Sequence, residues 1–407
     1  MKRWAIGIGV FVLVLSLSAV QVGCAPSAPA APETIKLGAV VPLTGRYASL
    51  GAQVKLGYEF AVEDINKAGG VEVKQYGKKI PLELKLLDDE SDPSKTVSRL
   101  ETLASTDKVW VYLGGAGSDL HAAGAALADK NKIPYLGIAF ALWDIHQKGY
   151  KYLFSPFPKS PDLARSSLEL VASVPQAQRP SKLAVFQEKT DWGVEMAALW
   201  KKTAPELGFE IAMVEEYAPG AKDYSDMILK AKSAGVEVVL GLPSPPDGMA
   251  IIKQMKELDF SPKYIYFVRA ADGPVWSQNL GKDGDFVALA PGWHFGAKFP
   301  GVKELNEKHQ AKLNRPSDVL VGPAYAVVQV AAEGVKNAGK LDREAIRNAI
   351  AGVKTDTVVG PVSFRQDGTG EVKTVVVQWQ EGKQELVWPK DMATKPFAYP
   401  ATPFKQR

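Results

Sequence analysis

Short apolar runs alternate with amphipathic stretches along most of the chain. Residues 35–43, 82–87, 109–113 and 133–138 are short and rich in Val, Ile and Leu, the pattern of buried strands. Between them, residues 51–67, 93–106 and 119–131 carry apolar side chains at helical spacing. Asp92-Pro93 strengthens the second of these, with an N-cap carboxylate followed by Pro in the first turn. The alternation resumes after Tyr152. Strands are expected at 182–186, 210–217, 236–242 and 264–269, with helices at 162–173, 193–207, 224–234 and 248–258. A further strand at 286–290 precedes helices at 302–313, 321–338 and 343–351. Strands alternating with helices predict parallel sheets covered on both faces. The ending changes character. Residues 358–364, 373–380 and 385–388 read as antiparallel strands, joined by turns at Asp367-Gly368-Thr369-Gly370 and Glu381-Gly382-Lys383. Two similar α/β units with a β ending predict two lobes and a cleft.

The first residues bear on compartment. Lys2 and Arg3 precede an apolar run from Trp4 to Ala19, which leads to Val20-Gln21-Val22-Gly23-Cys24. A positive start, an apolar core and a small residue before a cut describe an export signal. The run is shorter than the roughly 20 apolar residues of a membrane span, so an uncleaved anchor is the lesser alternative. Cys24 is the only cysteine, which rules out an intramolecular disulfide. Residues 25–33 are Pro, Ala and Ser up to Glu33, a semi-extended spacer. Formal net charge is +4, and loss of Lys2 and Arg3 with the signal leaves 4 − 2 = +2. No basic run marks a nucleic-acid surface, and no later apolar stretch is long enough to span a bilayer.

Six segments together carry a resemblance. They are the stretch from Ile35 to Gly45, Ala61-Val-Glu-Asp-Ile-Asn-Lys-Ala-Gly-Gly70, Asp88-Asp-Glu-Ser-Asp-Pro93, Thr190-Asp-Trp-Gly193, Lys222-Asp-Tyr-Ser225 and Val359-Gly-Pro-Val-Ser-Phe364. In order and spacing the chain from Ile35 to Trp388 resembles the type I periplasmic-binding fold, specifically the leucine/isoleucine/valine-binding protein family. That resemblance implies an α/β protein of two lobes, parallel sheets flanked by helices, joined by three crossovers near 154–157, 288–291 and 359–362. The N-terminal lobe would take residues 35–155 plus 290–358, and the C-terminal lobe 156–289 plus 359–389. A signal peptide over 1–23, a tether over 24–34 and a tail over 390–407 complete the expected organisation. Cys24 resembles the acylated cysteine of a bacterial lipobox, although Gln21 stands where an apolar residue is usual. Cleavage near Ala28-Pro29-Ala30 is the alternative.

The implied function is an extracytoplasmic solute-binding protein of an ABC importer, with no cofactor of its own. It would be held to the membrane by its N-terminal lipid and served by permease and ATPase subunits on separate chains. A binder of branched-chain or other amino acids is one alternative, and a stand-alone ligand sensor of the same fold is another. The resemblance also implies ligand contacts. Gly114-Gly-Ala-Gly-Ser118 follows a strand and opens a helix, where free N–H groups attract an anion and Ser118 adds a hydroxyl. Phe140 and Ala141 replace the small residue and hydroxyl usual in the family, making the cleft more aromatic. Trp192 and Ser244 match contact positions of the second lobe. The family places an acid after the strand at 264–269. Ungapped spacing puts Arg269 there, and aligning the acid-Gly pair puts Asp272 there instead. With Arg269 in the cleft, a small organic acid is favoured; with Asp272, an amino acid.

An enzyme is the rival class. The chain has no Gly-x-Ser-x-Gly elbow, no His-Glu-x-x-His and no phosphate loop ending Gly-Lys-Ser/Thr. His121, His146, His294 and His309 lack metal-ligand spacing. The expectation is therefore no catalysis and no metal.

Overall fold

The computed structural model describes Met1, Trp4 and residues 30–407. Most of the expected signal, with Cys24 and the beginning of the tether, lies outside the described residues. Residues 1–31 and 32–407 form separate units, and the fold belongs to the second.

Two sheets organise that unit. The first joins β1 (Ile35–Val41), β2 (Leu82–Asp88), β3 (Val111–Leu113), β4 (Tyr135–Leu136) and β5 (Leu153–Phe154). Its order is β2-β1-β3-β4-β5 and every pair is parallel. The second contains β6 (Lys182–Glu188), β7 (Glu210–Tyr217), β8 (Val238–Gly241), β9 (Tyr264–Phe267), β10 (Val287–Leu289), β11 (Val376–Gln380) and β12 (Lys383–Trp388). Its order is β12-β11-β10-β9-β8-β6-β7. Strands β6 to β10 pair in parallel, and the β11–β12 hairpin closes one edge antiparallel.

Parallel pairing needs crossovers, and helices supply them. α1 (Ala48–Lys67), α2 (Pro93–Ser105) and α3 (Ser118–Asn131) serve the first sheet. α4 (Ser160–Ala172), α5 (Asp191–Glu206), α6 (Ser225–Ser233) and α7 (Pro245–Glu257) serve the second. Then α8 (Val302–Leu313), α9 (Val321–Ala338) and α10 (Arg343–Ala351) return to the first lobe, where α9 packs along α1. Val and Ala dominate α9, and a Cβ on Gly57 would sit 2.5 Å from the Val321 carbonyl oxygen, so only Gly permits this helix contact. The chain thus passes between lobes after Phe154, after Leu289 and again before Val376.

Several boundaries differ from expectation for local reasons. The apolar run 133–138 yields only Tyr135–Leu136 as strand, because Pro134 has no N–H to donate and the chain bends at Ala139, whose φ is 52°. Gly360–Ser363 does not join the closing hairpin. It pairs with Lys354–Thr357 in a separate two-stranded sheet, and that partner is too polar to stand out as a strand. Val71–Val73 and Lys78–Ile80 form another short hairpin, too brief to show in the pattern. The end of the chain is fastened to the second lobe. Ala401 N donates to the Lys263 carbonyl at 2.9 Å, Phe404 is buried, and Arg407 Nη1 donates to the Asp283 and Asp285 carbonyls.

Candidate functional site

The carboxyl ends of the parallel strands face one another across the cleft, where open α/β sheets generally bind ligands. From the first lobe come the segments after β1, β3 and β4; from the second, those after β6 and β9.

Gly117 caps α3 with φ of 112°, which a side chain disfavours, and Ser118 is therefore the first helical residue. The first helical hydrogen bond runs from His121 N to Gly117 O, so the amides of Ser118, Asp119 and Leu120 have no partner within the helix. Ser118 Oγ lies 3.4 Å from both Ala141 N and Leu142 N. Helix amides, a hydroxyl and two loop amides converge here, and the helix dipole adds to their preference for an anion.

The second lobe contributes Trp192 and Arg269. A Cβ on Gly193 would fall 1.9 Å from the Glu188 carbonyl oxygen, so Gly lets α5 begin hard against the end of β6. That contact places Trp192 at the cleft wall with its Nε1–H donating to Ser160 Oγ at 3.0 Å. Arg269 spans the cleft. Its Nη2 donates to Glu188 Oε2 at 2.7 Å and its Nη1 to the Tyr47 hydroxyl at 3.2 Å. The guanidinium lies 5.0 Å from the Tyr47 ring centroid and 4.9 Å from that of Trp192, within cation–π range. Burial works against its charge, yet Tyr47, Glu188 and Asp119 outweigh that and hold Arg269 protonated. Tyr47 in turn donates to Asp119 Oδ1 at 3.3 Å, and Arg46 pairs with the same carboxylate.

Asp272 stands apart from this network. It is 4 % exposed, and its Oδ1 has no hydrogen-bond partner. Burial pushes its carboxyl well above the usual range, with Arg269 only partly opposing.

Two small adjoining cavities run through these residues. One, of about 50 Å³, is bordered by Tyr47, Ser118, Asp119, Leu142, Glu188, Trp192 and Arg269, among others. The other, of about 20 Å³, is bordered by Phe140, Ala141, Trp192, Arg269 and Asp272 together with apolar Leu50, Phe157, Leu163, Val268 and Leu320. Arg269 and Asp272, alternatives in the sequence, both reach the cleft. Phe140 gives one face to the smaller cavity but is mainly packed inside. Its ring stacks on His121 at 4.2 Å, with Lys159 Nζ 3.5 Å from its centroid. Burial lowers His121 to about 3, so the imidazole is neutral, with Nδ1 2.7 Å from Gly117 O. Ser244 borders neither cavity. It caps α7, its hydroxyl donating to Asp247 Oδ2 at 2.8 Å, so the capping role of a Ser before Pro-Pro-Asp takes precedence.

Sequence reasoning missed Tyr47, Asp119 and Glu188. Glu188 precedes Lys189-Thr190-Asp191 and reads as part of a solvated polar loop; only its ion pair with Arg269, distant in sequence, reveals it as buried. A wider hollow of about 450 Å³ between α4 and the tail carries no buried charge, Lys390 being exposed and Lys395 half-buried. Among the described residues no group of three or more His, Cys, Asp and Glu could hold a metal ion, and no helix is long and apolar enough to cross a membrane.

Comparison with known proteins bears on the family and the fold. The family model described as Periplasmic binding protein matches residues 34–384. The Leu/Ile/Val-binding protein homolog 7 of Brucella abortus (strain 2308) is 26% identical over 407 aligned residues, covering 95% of this chain and 98% of that protein. Among solved structures, a leucine binding protein from Thermotoga maritima superposes with a TM-score of 0.79 at 21% identity, covering 88% of this chain and 100% of that one. An ABC transporter solute binding protein from R. palustris in complex with benzoate gives 0.75 at 19% identity, covering 87% and 95%.

Proposed function

The chain belongs to the periplasmic binding protein family, and from that premise we propose that this substrate-binding protein of an ABC transporter captures a small α-amino acid with an apolar side chain. The observation that carries the reading is Asp272, a buried carboxylate with no partner of its own, bordering a mostly apolar cavity. Buried without a partner, the carboxyl holds its proton; a ligand ammonium beside it would favour the ionised form and pair with it. The ligand carboxylate would take the amides at the start of α3, the Ser118 hydroxyl and the Leu142 N–H. Its side chain would lie among Leu50, Phe157, Leu163, Val268 and Leu320.

An aromatic or other organic acid is the second reading. It is supported by Arg269, held between the Tyr47 and Trp192 rings. The sequence put this reading first. The Arg269–Glu188 pair reverses the order, because Glu188 already neutralises the guanidinium. The benzoate complex adds little, since likeness at that identity speaks to fold alone.

The two cavities, about 50 and 20 Å³, are far below the roughly 300 Å³ at which small-molecule pockets begin. The lobes must therefore open to admit the ligand, which bridges them and shifts the population toward a closed form. Permease and ATPase subunits on separate chains would receive it. With lobes of 35–155 plus 290–358 and 156–289 plus 359–389, the crossovers would lie between the two halves of this site. Family membership implies an extracytoplasmic location, and a lipid on Cys24 would hold the protein at the membrane.

A thermal-shift screen tests the ligand. Leucine and its close relatives should raise Tm, with benzoate silent; the reverse result removes the amino-acid reading. Arg269→Ala alone is a poor probe, because stranding buried Glu188 costs about 3–5 kcal/mol by itself. The paired change Arg269→Met with Glu188→Leu removes both charges. It should leave the leucine shift in place, whereas a shift given by an organic acid held by Arg269 would be lost.

A further inference from the structure

The loop that follows β4 is gripped from both lobes. On its own side, Ser118 Oγ meets Ala141 N and Leu142 N at 3.4 Å, long contacts for hydrogen bonds. The next two amides are taken by the opposite lobe. Trp143 N donates to Glu195 Oε1 at 2.9 Å and Asp144 N donates to Glu195 Oε2 at 2.7 Å. Glu195 belongs to α5, which packs on the second sheet, while residues 141–144 continue from the first. A carboxylate has two acceptor oxygens, and here each meets one of two consecutive N–H groups. The same helix turn that brings Trp192 to the cleft wall presents Glu195, three residues on, at the cleft mouth.

We propose that Glu195 is a positioning residue that holds the 141–144 loop from across the cleft, thereby setting the closed population and the residence time of the ligand. The proposal rests on the two-lobed binding cleft and not on the identity of the ligand. The amides of Ala141 and Leu142 lie just before those that Glu195 holds. Fixing Trp143 and Asp144 therefore orients the donors expected to meet a ligand carboxylate, and does so only while the lobes are closed.

The test uses the full chain with Glu195→Gln, which keeps one acceptor, and Glu195→Ala, which keeps none. Small-angle scattering without ligand should show Glu195→Ala more extended than wild type and Glu195→Gln between them. With leucine as probe, stopped-flow tryptophan fluorescence should give a koff raised about tenfold for Glu195→Ala, less for Glu195→Gln, with kon nearly unchanged. The ligand-free Tm should stay at the wild-type value. Unaltered scattering in both variants overturns the proposal, as does a fall in ligand-free Tm that parallels koff, which marks a role in general stability. If wild type shows no leucine binding, the amino-acid reading fails while the scattering comparison still decides the role of Glu195.

Discussion

Asp272 carries an unusual load for one side chain. Burial raises its carboxyl well above the ordinary 3.8, so folding favours a bound proton there. Whatever stability the group contributes is whole below about pH 3.8 and is lost as pH rises, because the unfolded chain then releases a proton that the folded chain must keep or replace with a buried charge. Asp272→Asn removes that penalty. The ligand-free protein should gain about 1–3 kcal/mol at neutral pH, with the gain shrinking below about pH 4, where both states carry the proton. Urea denaturation at the two pH values measures this. A neutral-pH loss of stability would mean that the carboxylate has a partner after all. The same substitution should abolish leucine binding, an exchange of function for stability common at binding sites. That an acid or a base stood near here was legible in Arg269-Ala-Ala-Asp272. That both reach the cleft was not, because β9 ends at Phe267 and the direction of the loop beyond it depends on contacts from the other lobe, such as Gln53 Nε2 to the Asp272 carbonyl.

Elements were read best where periodicity and a stop signal coincide. The helices at Val302–Leu313, Val321–Ala338 and Arg343–Ala351 lie where expected, the last two ending before Gly339 and Gly352. Short strands were read less well, since three or four residues carry almost no period and pairing partners decide their ends. The start of α5 shows how an element serves the site. Gly193→Ala forces a Cβ onto the Glu188 carbonyl oxygen, a backbone atom that yields only if the strand end or the helix moves. A cost of about 1–3 kcal/mol is expected from such overpacking, together with weaker ligand binding as Trp192 and Glu188 shift. Gly352→Ala is the control, its nearest neighbour being Asn348 O at an ordinary 3.7 Å. Equal Tm values for the two variants would show that the close approach at Gly193 is relieved without cost.

For the molecule as a whole, anchoring and capture are separable. Residues 1–31 and 32–407 form distinct units, so loss of the anchor should leave the cleft intact. Cys24→Ala is expected to move the protein from the detergent phase to the aqueous phase with leucine affinity unchanged. Retention in detergent would return the anchor to the uncleaved apolar segment. The sequence by itself determined the α/β alternation, the Ser118 turn and a helix over 193–207, which the structure begins two residues earlier at Asp191. These depend on periodicity and on signals within a few residues, which the order of residues displays directly. Only the tertiary structure decided that Arg269 is neutralised by Glu188, that Asp272 is left unpaired, that Ser244 is a helix cap and that Glu195 reaches the opposite lobe. Each of these is a contact between segments distant in sequence, or a competition among nearby hydrogen-bond partners. The energy that settles them depends on burial, which exists only once the lobes have folded and closed.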